Sequence, residues 1–278
     1  MLDETRAGRL TAWGNAALAG SAAPDDVVHE VARGELHRVV GLPGAGSDPA
    51  GVEQVTLAIA LGRLRNLGVR SLRLALPVPG HPLGLCGPPE FNALALEAGE
   101  AVVAGGADPG TGAGPAFGLV PEVTEPAPHP EVAEDDEAAA QATVVLWRCV
   151  AARDGFPADV PSLSEAEREL SEAMREATAA LAGLDLAGAG PDTLAALEEF
   201  RRRSGRHRVL LAPGYPPRAV RVLESAQRVA ALVGLASAEG EGGAAVTAAE
   251  LSARESVLRP LERVARRAQV AAYNAYGY

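Results

Sequence analysis

Lysine is missing from this sequence altogether; all 25 basic residues are arginine. With heavy use of Ala, Gly, Pro, Val and Leu, this reads as the imprint of a GC-rich genome. The absence also has chemical force. No lysine Schiff base can form, which excludes pyridoxal-phosphate chemistry on a lysine. A phosphate-cradling loop of the Walker type lacks its cation, and a Ser-x-x-Lys hydrolase lacks its base. A basic excess is also lacking: the formal charge is −11. Up to Asp154 there are 20 acids against 10 arginines, and beyond it 16 against 15. Neither part is suited to neutralising nucleic-acid phosphates or an anionic membrane surface.

Cysteine is scarce. Cys86 and Cys149 stand far apart in no metal-ligand spacing, so no disulfide framework is expected and the pair should stay reduced in a cytosol. No apolar run of about 18 to 20 uncharged residues is present to span a bilayer. The opening Met1-Leu2-Asp3-Glu4 is acidic and carries no signal-peptide core. A cytoplasmic location is the expectation.

What remains is ample for folding: 47% of 278 residues are apolar, enough for one large core or two ordinary ones. A first helix is expected from about Glu4 to Gly20, with Leu10, Trp13 and Ala17 at helical spacing. A second follows with Pro24 in its first turn. Leu36 to Val40 reads as a strand. Asp48-Pro49 should open a helix carrying Val52, Val55, Leu57, Ile59, Leu61 and Leu64, apolar almost all round and therefore deeply buried. Ser71 to Val78 alternates as a strand. Strand, buried helix, strand predicts a parallel βαβ unit.

A helix from about Glu90 to Ala98 comes next, then short strands near Ala101 to Val103 and Phe117 to Val120. The Gly-rich loop Gly105 to Gly118 between them departs from the dinucleotide pattern, because Pro115 takes the place of the third glycine, and it reads as a hairpin tip. Glu122 to Glu137 is Pro-rich and acidic and is expected to be flexible, out to about residue 140. A central strand with Trp147 runs from Thr143 to Val150.

After Pro161 the texture is helical. Ser162-Leu163-Ser164-Glu165 is a capping box, followed by a seam of Leu163, Ala166, Leu170, Met174, Ala177 and Leu181. Pro191 opens a second helix there, and Pro216-Pro217 opens a third with Val222, Ala226, Val229 and Val233 inward. Thr247-Ala248-Ala249-Glu250 caps a last helix. Pro260 inside it removes a backbone donor and should kink or break it. The expected fold is α+β or α/β: a small mixed sheet with helices in residues 1–158, and a mostly antiparallel helical bundle in 159–278. The boundary is expected between about Gly155 and Ser162, with one shared core as the alternative.

Three runs carry a resemblance. Leu74-Ala75-Leu76-Pro77-Val78-Pro79-Gly80, then Ala93-Leu94-Ala95-Leu96-Glu97-Ala98-Gly99-Glu100-Ala101-Val102, then Ala271-Ala272-Tyr273-Asn274 resemble a family of uncharacterised proteins from high-GC bacteria. The similarity spans most of the chain. No activity is established for that family, so the resemblance implies no site.

Candidate chemistry centres on residues 79–89, which follow a strand and precede a helix N-terminus, where ligands of open α/β sheets bind. There His81 is a candidate general base, Cys86 a candidate nucleophile, and Gly80 a candidate ligand contact. The plainer account is a rigid turn with an incidental His and a small buried Cys. Tyr215 and Arg218, beside Pro216-Pro217, are further candidates for a ligand pocket. His29 and His37 are eight residues apart across Gly34 and do not make a zinc motif. The Arg201-Arg202-Arg203 run with Arg206 and Arg208 suits a helix C-terminus better than a phosphate site. Arg259, Arg263, Arg266 and Arg267 suit a solvated helix face. Tyr273 and Tyr276 share a face that can dock the terminus.

No metal or cofactor is expected. The sequence leans towards a non-catalytic interaction or regulatory protein with a protein partner at its helical half, rather than nucleic acid or membrane. A small-molecule binder or enzyme using the 79–89 loop is the alternative.

Overall fold

The computed structural model describes residues 5–44, 53–106, 114–125, 143–155, 157–183, 211–242 and 248–277, with backbone alone for 178–183, 235–242 and 248–255. The chain divides into two compact units, one of Glu4–Asp159 with Leu211–Gly214, the other holding the remainder. The first is a mixed sheet with helices, the second is helical, so the α+β expectation holds.

The first unit opens with α1 (Arg6–Leu18) and α2 (Pro24–Ala32), then β1 (Leu36–Val40) and β2 (Gln54–Val55). There follow α3 (Leu57–Asn66), β3 (Ser71–Ala75), α4 (Pro89–Ala98), β4 (Ala101–Gly105), β5 (Ala116–Thr124) and β6 (Val144–Ala151). These strands form one six-stranded sheet in the order β2-β1-β6-β5-β4-β3. β1 runs parallel to β6, with Val39 opposite Trp147, and the other neighbours are antiparallel.

This order overturns the predicted βαβ unit. β1 and β3 are separated in the sheet by β6, β5 and β4, and β3 pairs antiparallel with β4. Strand–helix–strand periodicity says that an element crosses over, but not which strand it returns to. The parallel partner of β1 arrives more than a hundred residues later as β6, which takes the central position expected for the Trp147 strand.

Several boundaries also move. Asp48, Pro49 and Val52 lie outside the described residues. Gln54–Val55 is a short strand, and the helix begins only at Leu57, where the Thr56 hydroxyl accepts from the Ile59 amide at 3.5 Å. That helix is not apolar-buried all round: Ile59 is 50% exposed, while Leu57, Ala60, Leu61 and Leu64 face inward. β3 ends at Ala75, ahead of Pro77, instead of continuing to Val78. Glu122, Val123 and Thr124 belong to β5, paired with Leu146, Val145 and Val144, so the flexibility expected from Glu122 onward does not hold for these three residues. Its residues 126–142, like the tip of the Gly-rich loop at 107–113, fall outside the described part.

α1 holds this unit together. Residues Ala7 through Ala16 are all buried, among them Arg9, Thr11 and Asn15. It packs on α2, α3, β3, β4 and β5. Gly14 lets the helix lie against the sheet, since a Cβ there would collide with the Leu72 side chain. The next residue completes the joint. Asn15 Nδ2 donates to the Leu72 carbonyl at 2.8 Å, and the Leu72 amide donates to Asn15 Oδ1 at 2.8 Å. β3 is an edge strand, and this side-chain amide stands where the backbone of a neighbouring strand would pair. On the other sheet face α4 presses Phe91 onto β5 at Gly118, where a Cβ would strike the ring. Phe91, Ala95, Ala101, Val103 and Val120 form the core there.

The second unit contains α5 (Leu163–Gly183), α6 (Pro217–Gly242) and α7 (Ala248–Tyr273) among the described residues. The predicted capping box is present: the Glu165 amide donates to Ser162 Oγ at 3.3 Å, and the Ser162 amide donates to Glu165 Oε2 at 2.8 Å. Both α5 and α6 pack chiefly on α7. The α6 stripe of Val222, Ala226, Val229 and Val233 is buried as expected.

In α5, Ala166, Leu170 and Ala177 are buried, but Met174 is 43% exposed. The inward face passes through Ala173, one residue away from the predicted seam position, and Ala173 is half-buried. The helix predicted after Pro191 and the cap Thr247 lie outside the described residues, as does the side chain of Leu181. α7 runs unbroken through Pro260. Pro260 supplies no amide to the carbonyl of Ser256, an exposed residue one turn before it.

Replacing Asn15 by Ala should cost about 1–3 kcal/mol for each of the two Leu72 peptide groups left without a partner. Urea melts of the purified chain measure this. A loss below about 0.5 kcal/mol, the range of an ordinary surface change, would show that the amide pair does not hold α1 to β3.

Candidate functional site

Residues 79–89 fold back onto the strand they leave. Val78 and His81 exchange backbone hydrogen bonds of 3.0 and 2.9 Å across a tight turn, with Gly80 at φ +77°. The Leu76 amide then donates to the Leu83 carbonyl at 3.1 Å, and the Leu83 side chain is fully buried. Gly84, at φ +95°, lies so close to β3 that a Cβ would sit 3.0 Å from Ala75. The Gly87 amide donates to Asn92 Oδ1 at 3.0 Å, which ties the loop to the first turn of α4.

Between the turn and α4 is an open concavity of about 180 Å³, with Val78, Pro82, Leu85 and Leu96 as its apolar lining and Gly80, His81 and Asn92 beside them. A closed cavity of about 150 Å³ holds one benzene ring, and metabolite pockets run to several hundred Å³. The concavity is the size of one ring or one apolar side chain.

The loop places His81 and Cys86 in different surroundings. His81 lines the concavity. Cys86 turns to the chain after β6, with Sγ 3.8 Å from the Gly155 carbonyl oxygen. Around it are Arg73, Asp154 and Asp159. Arg73 Nη2 donates to Asp154 Oδ1 at 2.6 Å, with both side chains largely buried. The same oxygen accepts from the Gly155 amide at 3.0 Å. Asp159 Oδ1 accepts from the Gly84 amide at 3.3 Å and so pins the loop from below.

Burial raises the Cys86 pKa above its ordinary value. Arg73 opposes the shift, and Asp159 and Asp154 add to it. Arg73 is the cation that would activate a thiolate, and Asp154 holds it. Cys149, buried on the opposite sheet face, is pushed by burial to a pKa of about 12. Both are free thiols.

A second polar cluster, absent from the sequence reading, forms at the start of α1. Glu35 receives Arg6 Nε at 3.0 Å and Nη2 at 2.5 Å, and Arg9 Nη2 at 3.0 Å. These contacts hold the Glu35 carboxyl below its usual range against the opposing effect of burial. His37 Nε2 lies 3.1 Å from Glu35 Oε2, and Trp147 Nε1 donates to His37 Nδ1 at 3.1 Å. Glu100 accepts the Ala7 amide at 2.8 Å, next to the Thr5 hydroxyl that caps the helix through Gly8. No motif spacing announces this cluster, because it joins residues 6, 9, 35, 37, 100 and 147. The one available signal is the pair Arg6 and Arg9 on a helix made mostly of small and apolar residues.

In the helical unit, Tyr215 and Arg218 serve internal contacts. The Tyr215 hydroxyl donates to the Tyr273 carbonyl at 2.6 Å, and its ring meets Tyr276 edge-on with centroids 5.1 Å apart. Arg218 pairs with Glu167 at 2.6 Å. Tyr273 is buried, so the terminal tyrosines dock internally. Arg267 pairs with Glu169 at 3.1 Å, and burial lowers the pKa of Arg266, so the arginines of α7 are not all on a solvated face. Arg201, Arg202, Arg203, Arg206 and Arg208 lie outside the described residues. Among the described residues no three His, Cys, Asp or Glu side chains gather as a metal-binding group, and no helix is long and apolar enough to cross a membrane.

Comparison with known proteins places the whole chain. Residues 7–163 match the family model for the N-terminal domain of Rv1486c-like proteins, and residues 164–270 match that for the C-terminal domain. The chain is 33% identical to the uncharacterised protein Rv1486c of Mycobacterium tuberculosis H37Rv, over 96% of this chain and 95% of that one. It is 31% identical to the uncharacterised protein ML1804 of Mycobacterium leprae, with the same 96% and 95% coverage. No solved structure matches. The names of these relatives state no activity.

Native-state thiol titration checks the cysteine assignments. Because the thiolate is the reacting form, Cys86 should react more slowly than an exposed thiol at neutral pH, and Cys149 only after denaturant is added. Rapid, stoichiometric labelling of Cys86 in the folded chain would contradict the raised pKa and reopen its reading as a nucleophile.

Proposed function

The chain belongs to the Rv1486c-like protein family, and within it we propose a non-catalytic interaction or regulatory protein of the bacterial cytoplasm that engages a protein partner through its helical unit. The observation that carries this reading is the state of Cys86. It is the strongest nucleophile candidate in the sequence, yet burial and two carboxylates hold it as a thiol while Arg73 is committed to Asp154. Tyr215 and Arg218 are likewise committed to contacts within the helical unit.

The partner surface has support in the same unit. α5 and α6 each lean on α7, and each carries an exposed large apolar side chain, Met174 at 43% and Leu232 at 44%. Apolar side chains of this kind anchor protein interfaces. The net charge of −11 disfavours nucleic acid and anionic membranes as partners. Two free thiols suit a reducing compartment.

The concavity beside His81 favours a second reading, a small-molecule binder that accepts one ring-sized apolar group. Two measurements separate the two. A tagged wild-type chain should retain a protein from a lysate of its source that a Met174→Glu, Leu232→Glu variant of unchanged Tm does not. A metabolite screen should leave Tm unmoved. A ligand at 100 times its Kd would instead raise Tm by roughly 5–10 °C. Such a rise, lost in His81→Ala, would replace the interaction reading with the binder.

A further inference from the structure

We propose that His37 is an acid-sensitive latch that, while neutral, ties the Trp147 indole of β6 to Glu35, the carboxylate that Arg6 and Arg9 of α1 share, and that lets go of Trp147 when protonated. Its side chain is 2% exposed and has one hydrogen-bonding partner on each ring nitrogen. The Trp147 indole N–H can only donate, so Nδ1 must present a lone pair. The ionised Glu35 carboxylate can only accept, so Nε2 must carry the proton. The two contacts together specify one neutral tautomer. A second proton can go only to Nδ1, where it converts the acceptor into a donor facing another donor 3.1 Å away. The contact to Trp147 cannot survive that change.

The charges around the imidazole act in both directions, with Glu35 favouring the imidazolium and Arg9 and Arg6 opposing it. From α1, Arg6 and Arg9 already share the Glu35 carboxylate. On β1, Arg38 Nη1 donates to the His37 carbonyl at 3.1 Å. From the turn before β4, Glu100 is held at the α1 N-terminus by the Ala7 amide, and burial raises its pKa. An imidazolium would be a further buried cation beside two arginines that share one carboxylate. Burial lowers the His37 pKa; Glu35 opposes this, and Arg9 and Arg6 reinforce it.

The sign of the pH dependence follows. A folded-state pKa below the unfolded value of about 6.5 means that the unfolded chain binds the proton more tightly. The contribution of His37 to stability is therefore complete above about pH 6.5 and is lost as the pH falls through the lower, folded pKa. Glu100 works oppositely, since its raised pKa favours the folded state on acidification.

The test follows the indole N–H resonances of the full chain from about pH 8 to about pH 5, with Trp13 as the internal control. The Trp147 resonance should shift with a midpoint below about pH 6.5 while that of Trp13 stays in place. In His37→Gln, whose side-chain oxygen still accepts the indole N–H but does not titrate, the shift should vanish and the acid-induced fall in Tm should shrink. Trp147→Phe, which removes the opposing donor, should raise the midpoint of the His37 ring resonances. A Trp147 resonance unmoved to about pH 5, an identical titration in His37→Gln, or an unchanged His37 midpoint in Trp147→Phe would each overturn the latch.

Discussion

A helix with no solvated face can have its polar groups answered only from inside the protein, and α1 imposes that condition on its surroundings, with the Thr11 hydroxyl and Arg9 Nε left without a hydrogen-bond partner. Its buried stretch from Ala7 to Ala16 includes an arginine, a threonine and an asparagine. Glu35 answers Arg9, the Leu72 peptide groups answer Asn15, and Glu100 and Thr5 answer the free amides of the first turn. A lost hydrogen bond costs little beside water, but a buried donor or acceptor left alone costs about 1–3 kcal/mol. The polar contacts therefore fix the helix in position and rotation, while apolar area provides the adhesion. Gly14 sets the approach distance, and Asn15, one residue on, sets the register against β3.

The elements that could be read from sequence are those whose signal is local. Pro24, the Leu36–Val40 run, the Ser162–Glu165 box and the Val222–Val233 stripe each announce themselves within a few residues, because caps, prolines and periodicity act over one turn or one pleat. Pairing between distant segments is not local, and there the reading failed. Nothing near β1 indicates that its parallel neighbour is β6, since the information lies in which strand offers two apolar faces. β2 was absorbed into a predicted helix because Val52, Val55 and Ile59 fit a helical stripe, whereas Thr56, a capping residue in the middle of that run, marks where the helix starts. The break allowed for at Pro260 does not occur, since α7 is one helix from Ala248 to Tyr273.

The candidate site was legible in part. The 79–89 loop was found from its composition and position, but its two reactive residues were expected together, and the fold separates their settings. What surrounds Cys86 comes from β3 and from the segment after β6. The size of the concavity traces to packing some distance from it. With Phe91 seated on Gly118, α4 lies close to the sheet, and its Asn92 and Leu96 line the concavity. The family relationship covers both units and supplies no chemistry, so these contacts are the available basis for a functional reading.

The amide pair between Asn15 and Leu72 also decides what kind of damaged molecule the protein can become. A sheet edge with free backbone groups is a template on which other chains polymerise. Here the cover over one such edge is the most buried helix of the unit. Fraying at a terminus leaves the edge shielded, whereas a lesion that lifts α1 bares Leu72 and its apolar neighbours at once. Loss of that helix would then convert a folding defect into a self-association defect, with damaged copies removed from solution in proportion to their concentration and not merely to the fraction unfolded.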